Sequence, residues 1–368
     1  MYDVIIVGGG LAGLASAAEL ARVGARVLIA EQKRYPFHRV CGEYLSHEVR
    51  PFLAQLGLSL ERLGASPIRQ FELTTPRGHH LRCNLPAPGH GLSRYRLDAE
   101  LATCATAAGA ELREGLEVKQ VQFVNDRFFV RLGNEAVTAR VVLGCHGKRS
   151  RLDRLLNRRS ATRRSGYIAV KRHYYGSVRN EVVSLHAFPG GYCGVSRVES
   201  KRVNVCYLTD SKQLRLAGSL AELEASVLSQ NQYIAATLRQ LTPAMDRLVV
   251  SQLDYGPRIP VERHILMLGD ASGLTYPLCG NGMALALRSA RLVSHAVPRF
   301  LAGAWSRRAL ERYFTRTWSV NAKRRRRLAG ALQPILGSAS LTDTAVEFAR
   351  RVPWLPNALV RLSHGQPF

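Results

Sequence analysis

The stretch Tyr2-Asp3-Val4-Ile5-Ile6-Val7-Gly8-Gly9-Gly10-Leu11-Ala12-Gly13 decides the fold. Val4 to Val7 is a short apolar run rich in β-branched residues, the mark of a strand buried on both faces. Gly8, Gly10 and Gly13 complete a GxGxxG pattern, and Leu14 to Val23 continues as an Ala/Leu-rich helix closed by Gly24. A second apolar run, Ala25 to Ala30, ends on Glu31. In such a βαβ unit one glycine makes the tight turn, one admits a pyrophosphate and one lets helix pack on strand. The helix start, with Leu11 and Ala12, offers unpaired N–H groups and a positive dipole end to phosphates. Glu31 is placed to accept hydrogen bonds from a ribose hydroxyl pair. The unit therefore reads as a dinucleotide site, and the motif suits FAD and NAD equally.

The 368 residues imply two domains at ~100–200 residues each. With 46% hydrophobic and 21% charged residues, the composition excludes a disordered or fibrous chain. No uninterrupted apolar run approaches the ~18 residues needed to cross a bilayer, and the first strand lacks the flanks of a signal peptide. The expected location is the cytoplasm, with a peripheral membrane contact left open. Seven cysteines without CxxC or Cys/His spacing fit reduced thiols, and no metal is expected. The net charge of +25 favours anionic partners: nucleic acid, anionic lipid, a phosphorylated substrate or an acidic carrier protein. Arginine far outnumbers lysine, a skew that codon usage explains equally well.

Near residue 270 an apolar strand ends in Gly269-Asp270, which puts a carboxylate at the carboxyl edge of the sheet, where it can hold a polyol hydroxyl. The Gly280-Asn281-Gly282 turn then precedes a helix from Met283 to Val293. Its N-terminus is a second anion-seeking helix start, suited to charge on a reduced flavin.

With these segments in order, joined by Arg94-Tyr95-Arg96-Leu97-Asp98-Ala99-Glu100-Leu101 and Val141 to Ser150, the chain resembles one superfamily. This is the FAD-dependent oxidoreductases that include para-hydroxybenzoate hydroxylase-type monooxygenases, geranylgeranyl reductases and flavin halogenases. The likeness runs from residue 1 to about 325. It implies FAD, with Gly8, Gly10, Gly13 and Glu31 on the ADP half, Arg94 near the pyrophosphate and Asp270 on the ribityl or pyrophosphate. Arg39, Gly280, Gly282 and Met283 complete the expected cofactor set; NAD(P)H is a candidate electron donor. The implied fold is α/β: a Rossmann-type FAD-binding domain, three-layered and glutathione reductase-like, with an inserted antiparallel β-sheet substrate domain and C-terminal helices. The expected boundaries are 1–70, 95–165 and 255–325 for the FAD domain, 70–95 and 165–255 for the substrate domain, and 326–368 for the helical end. His146 departs from the family, which usually has Asp there, and this puts direct NAD(P)H reduction in doubt. Val40-Cys41-Gly42-Glu43 resembles the Cys-Gly segment of geranylgeranyl reductases, which makes Cys41 and Gly42 catalytic candidates, although a packing role fits the thiol as well.

Phe188-Pro189-Gly190-Gly191-Tyr192 resembles a stretch with which the reductase branch lines its pocket, so Phe188, Tyr192 and Tyr207 are candidate substrate contacts or plain sheet core. Residues 301–368 carry twelve basic and three acidic side chains, including Lys323-Arg324-Arg325-Arg326-Arg327. Leu328, Leu332, Ile335 and Leu336 follow at helical spacing. Such a basic amphipathic segment either caps the core or lies on an anionic membrane or acidic carrier protein. The leading functional expectation is a monooxygenase that hydroxylates an aromatic or lipid-like substrate through a flavin C4a-hydroperoxide. The alternative is a reductase of C=C bonds in an isoprenoid or lipid chain. A halogenase is disfavoured because the Trp-x-Trp-x-Ile-Pro signature is absent. A different class, a basic nucleic-acid or membrane-surface binding protein, has only the charge behind it. Nucleic acid is disfavoured because no aromatic-interleaved basic motif accompanies that charge.

Overall fold

A computed structural model describes every residue except 149, 159–165, 278, 279 and 281. The main elements are β1 (Tyr2–Val7), α1 (Leu11–Arg22), β2 (Val27–Glu31), β3 (Ser66–Thr74), β4 (His80–Gly91), α2 (Arg94–Ala107), β5 (Glu111–Glu114), β6 (Glu135–Gly144), β7 (Tyr167–Tyr175), β8 (Val182–Phe188), β9 (Gly191–Arg197), β10 (Val203–Asp210), β11 (Ile265–Met267), α3 (Gly282–Leu301), α4 (Arg307–Leu336), α5 (Ala339–Arg351) and α6 (Trp354–Ser363).

The first sheet runs β11-β6-β1-β2-β5, all parallel. Its centre is β1, where period-two alternation divides the apolar run between two cores. Val4 and Ile6 face α1, α2 and α3, packing with Leu14, Leu97 and Leu287. Ile5 and Val7 face the antiparallel hairpin of residues 118–124 and 127–132, packing with Phe128 and Val130. Helices, parallel sheet and hairpin form the three expected layers. Burying each such aliphatic side chain contributes roughly 1.5–3 kcal/mol, which is why the run Val4 to Val7 holds the middle.

The second sheet runs β7-β10-β9-β8-β3-β4 and is antiparallel except at β8/β3. The short strand Tyr44–Leu45 pairs with the end of β4, so the loop after β2 reaches across from one sheet to the other. At the other end of the chain, α4 passes unbroken through residues 325 and 326.

Within the basic run of α4, Lys323, Arg324 and Arg327 point outward, whereas Arg325 is buried and Arg326 half-buried. Arg325 pairs with the fully buried carboxylate of Glu48, as does Arg288 of α3 at 3.1 Å. The same glutamate accepts the Gly365 N–H (3.2 Å) on Oε1, and its backbone carbonyl accepts the Phe368 N–H (3.2 Å). Burial pushes the Glu48 carboxyl up, but Arg325, Ser46 and Arg288 outweigh it and hold the group below the ordinary value of 4.5. Glu48→Gln leaves two guanidiniums facing a neutral amide and is expected to cost about 3–5 kcal/mol in urea unfolding. Because the folded pKa is depressed, this contribution is complete above pH 4.5 and is lost as pH falls through the lower folded value. The gap between wild type and variant is therefore expected to narrow in acid.

Candidate functional site

The glycine loop after β1 is sterically specified. Gly8 has φ +102°, and a Cβ there would lie 2.5 Å from the Cys145 carbonyl oxygen, while one at Gly13 would lie 2.2 Å from that of Gly8. Strand end, helix and the turn after β6 meet with no room for a side chain. Gly10 is different: a Cβ there would meet only Arg94 Nη2, at 3.7 Å, so the space above it is open. Gly10 caps α1 without a side-chain hydrogen bond, and no acidic residue sits in the first turn. The amides of Leu11, Ala12 and Gly13 thus form a cradle that fits a pyrophosphate.

Charged side chains frame this cradle. Glu31 Oε2 accepts from the Gly9 N–H (2.8 Å) and from Arg39 Nη2 (3.2 Å). Asp98, fully buried, takes Arg39 Nε at 3.0 Å, and Arg94 through both Nε (2.7 Å) and Nη2 (2.8 Å). Arg94 is therefore pinned beside Gly10 rather than displayed on the surface.

The second glycine-led element comes to the same place. β11 passes into a single turn, Gly269–Ser272, and a Cβ at Gly269 would stand 3.4 Å from the Cβ atoms of both Ala12 and Ala286. The first turns of α1 and α3 converge there. Asp270 stays half-buried, and its carboxylate accepts no hydrogen bond among the described residues, although its charge acts on Arg94, Arg258 and Arg326. Gly282 opens α3, exposed, and Met283 is buried beneath it. Leu278, Cys279 and Asn281 of the connecting loop, and Arg149 of the earlier motif, lie outside the described residues.

Cys41 is partly buried, and its Sγ accepts the Glu43 N–H at 3.4 Å. What fixes its loop is Glu43, which is fully buried with φ +56° and has no counterpart among the residues singled out from sequence. Glu43 accepts the Arg94 N–H (2.7 Å) and Lys171 Nζ on one oxygen and His173 Nε2 (2.6 Å) on the other. An acid directly after Cys-Gly was the available signal. His146, standing where the family has an acid, is backed by one: its Nε2 lies 3.1 Å from Asp153, which also pairs with Arg158.

Beside the Cys-Gly loop lies a cavity of about 250 Å³. Its near end is formed by Gly42, Tyr44, Pro277 and Gly280, its walls by Phe71, Leu73, Leu185, Tyr192 and Leu208 of the second sheet, and its roof by Leu332, Leu336, Val346 and Leu359 of the C-terminal helices. Tyr207 borders the cavity only from behind, its ring packing in the core beyond the sheet with its hydroxyl on Glu224. Phe188 does not reach it; it is fully buried in the core behind the sheet, edge-on to Tyr207. A polar pair missed by the sequence reading stands at the near end. Tyr44 O–H lies 2.9 Å from His364 Nε2, and His364 Nδ1 lies 2.8 Å from the Val360 carbonyl, so Nδ1 carries the proton and Nε2 accepts from the phenol. Burial raises the Tyr44 phenol and lowers the His364 imidazole, which keeps both neutral.

Such a fold and cradle define a dinucleotide-dependent enzyme. Residues 1–188 match the family described as an FAD binding domain, and the chain belongs to that family. The protein is an FAD-dependent oxidoreductase, and the residues present fit that cofactor. It is 23% identical over 351 residues to conditioned medium factor receptor 1 of Dictyostelium discoideum, covering 85% of this chain and 66% of that protein. It is 27% identical over 381 residues to menaquinone reductase of Mycobacterium tuberculosis, covering 94% and 88% respectively. Rifampicin monooxygenase of Streptomyces venezuelae is 35% identical over 162 residues, 42% of this chain and 34% of that one. In fold, the myxobacterial chondrochloren halogenase superposes with a TM-score of 0.78 at 20% identity, covering 99% of this chain and 91% of the other. Among the described residues no helix is long and apolar enough to cross a membrane, and no cluster of three metal-ligating side chains occurs.

The Asp270 carboxylate accepts no hydrogen bond among the described residues, so Asp270→Ala is expected to fold normally. FAD affinity is expected to weaken roughly tenfold or more, the loss of one charge-assisted hydrogen bond, in a flavin fluorescence titration.

Proposed function

We propose that this enzyme is a flavin-dependent reductase of a carbon–carbon double bond in an isoprenoid or similar lipid chain. The cavity carries the reading: aliphatic and aromatic side chains line its walls and roof, and one end opens on Gly42 and Gly280 beside the cofactor cradle. An apolar slot of this kind recognises chain-like hydrocarbon and offers little to an anionic aromatic acid. The similarity to menaquinone reductase supports it, since that match extends over nearly the whole chain, cavity-forming half included. The more identical but shorter match to rifampicin monooxygenase favours a second reading, hydroxylation of an aromatic or lipid-like substrate in the same cavity.

FAD, once bound and reduced by an external two-electron donor, would supply the hydride that saturates one carbon of the double bond. The second carbon needs a proton, and Tyr44 bears one at the right end of the cavity. Its hydroxyl is held on His364, and both residues line the cavity. The Glu43, Lys171 and His173 cluster holds the loop that carries both Gly42 and Tyr44. The roof of C-terminal helices keeps water away from the reacting end.

Reduced holoenzyme mixed with geranylgeraniol, first without and then with oxygen, separates the readings by product mass. Gain of a hydrogen pair without oxygen supports reduction; gain of an oxygen atom only when oxygen is admitted supports hydroxylation and overturns it. Tyr44→Phe keeps the ring against Gly280 and is expected to retain FAD while lowering turnover about a hundredfold. Because burial lifts the phenol above its ordinary 10.0, the wild-type rate is not expected to fall from Tyr44 ionisation as pH approaches that value.

A further inference from the structure

Helix α5 carries two sets of apolar side chains, about 120° apart around its axis. Its inner face, with Val346 and Ala349, roofs the cavity. Its outer face carries Leu341 and Phe348, two turns apart and 53% and 58% exposed, and Trp354 at the start of α6 is 68% exposed. A surface helix in a self-contained globule keeps its large apolar side chains within the buried stripe, so exposed ones outside that stripe mark a surface that something covers.

Charge identifies the covering. Arg350, Arg351 and Arg361 are exposed around these apolar side chains, and of the two acids on α5 Asp343 is buried while Glu347 is paired with Arg351 at 2.7 Å. A second copy of a chain with net charge +25 would bring like charges together across this face, whereas an anionic surface is attracted to it. The combination of exposed tryptophan and phenylalanine with arginines on a short helix is that of a segment lying in a membrane interface. The run Lys323 to Arg327 is the less suitable anchor, because Arg325 and Arg326 are turned inward, on Glu48 and on the carbonyls of Ser272 and Gly273.

We propose that the outer face of α5 and the first turn of α6 dock on an anionic lipid bilayer, with Leu341, Phe348 and Trp354 inserted at the headgroup boundary and the arginines on lipid phosphates. Docking sets the roof of the apolar cavity against the layer from which a lipid chain is drawn. That consequence, but not the docking, rests on the proposed reductase activity.

The test is sedimentation of the holoenzyme with phosphatidylcholine vesicles, with and without phosphatidylglycerol, at low and high salt. Binding is expected only to the anionic vesicles and to weaken with salt. Phe348→Ser/Trp354→Ser and, separately, Arg350→Glu/Arg351→Glu are each expected to weaken it tenfold or more, with FAD content unchanged. Trp318 is buried and Trp305 half-buried, so a blue shift of tryptophan emission on binding is expected to vanish in Trp354→Phe. Failure of the wild type to bind anionic vesicles, or undiminished binding by the Phe348→Ser/Trp354→Ser protein, overturns the proposal. So does a wild-type dimer that those two substitutions dissolve. If vesicles bind as expected while geranylgeraniol is not reduced, the docking stands and the reductase reading falls.

Discussion

The close approach of three backbone segments at Gly8, Gly13 and Cys145 governs the arrangement of everything around it. A side chain at either glycine would overlap a carbonyl oxygen, so helix α1 can start hard against the sheet only with this sequence. That start then fixes the direction of the free amides, and Gly269, wedged between Ala12 and Ala286, brings the second helix onto the same point. The site follows from packing tolerances before any charged side chain is considered.

Around that point the chain uses one electrostatic device repeatedly. Asp98, Glu48, Asp153 and Glu43 are buried carboxylates, and each is shared by at least two basic side chains; for Asp98 and Glu48 these come from distant parts of the sequence, for Glu43 from one remote strand. An unpaired buried charge would be very costly, whereas a carboxylate with two oxygens has lone pairs enough for two donors. Part of the large positive charge is therefore structural and internal, which the composition could not reveal. Only the outward arginines remain to act on partners.

The legible parts were those whose partners are near in sequence. The strand, glycines, helix and Glu31 lie within the first 31 residues, and their alternation and spacing specify one local geometry. Asp270 and the helix after it were readable because a strand ending in Gly-Asp has few alternatives. Glu43 escaped notice because Lys171 and His173 lie about 130 residues away, and Tyr44 because its histidine is 320 residues distant. Pairings of that kind carry no periodic signature. Phe188 illustrates the converse: the alternation along β8 was visible, but not which face of the sheet borders the cavity. Likewise the helical period of α4 was clear, whereas the inward turn of Arg325 and Arg326 depended on acceptors supplied by remote loops.

Those two arginines are consecutive on one continuous helix, one gripping the turn that follows Asp270 and the other the glutamate that clasps the last residues of the chain. A rigid rod held at adjacent points transmits displacement, so the nucleotide-facing turn and the tail share a single mechanical frame. The C-terminal helices belong to the holoenzyme as a working part, not as an appendage.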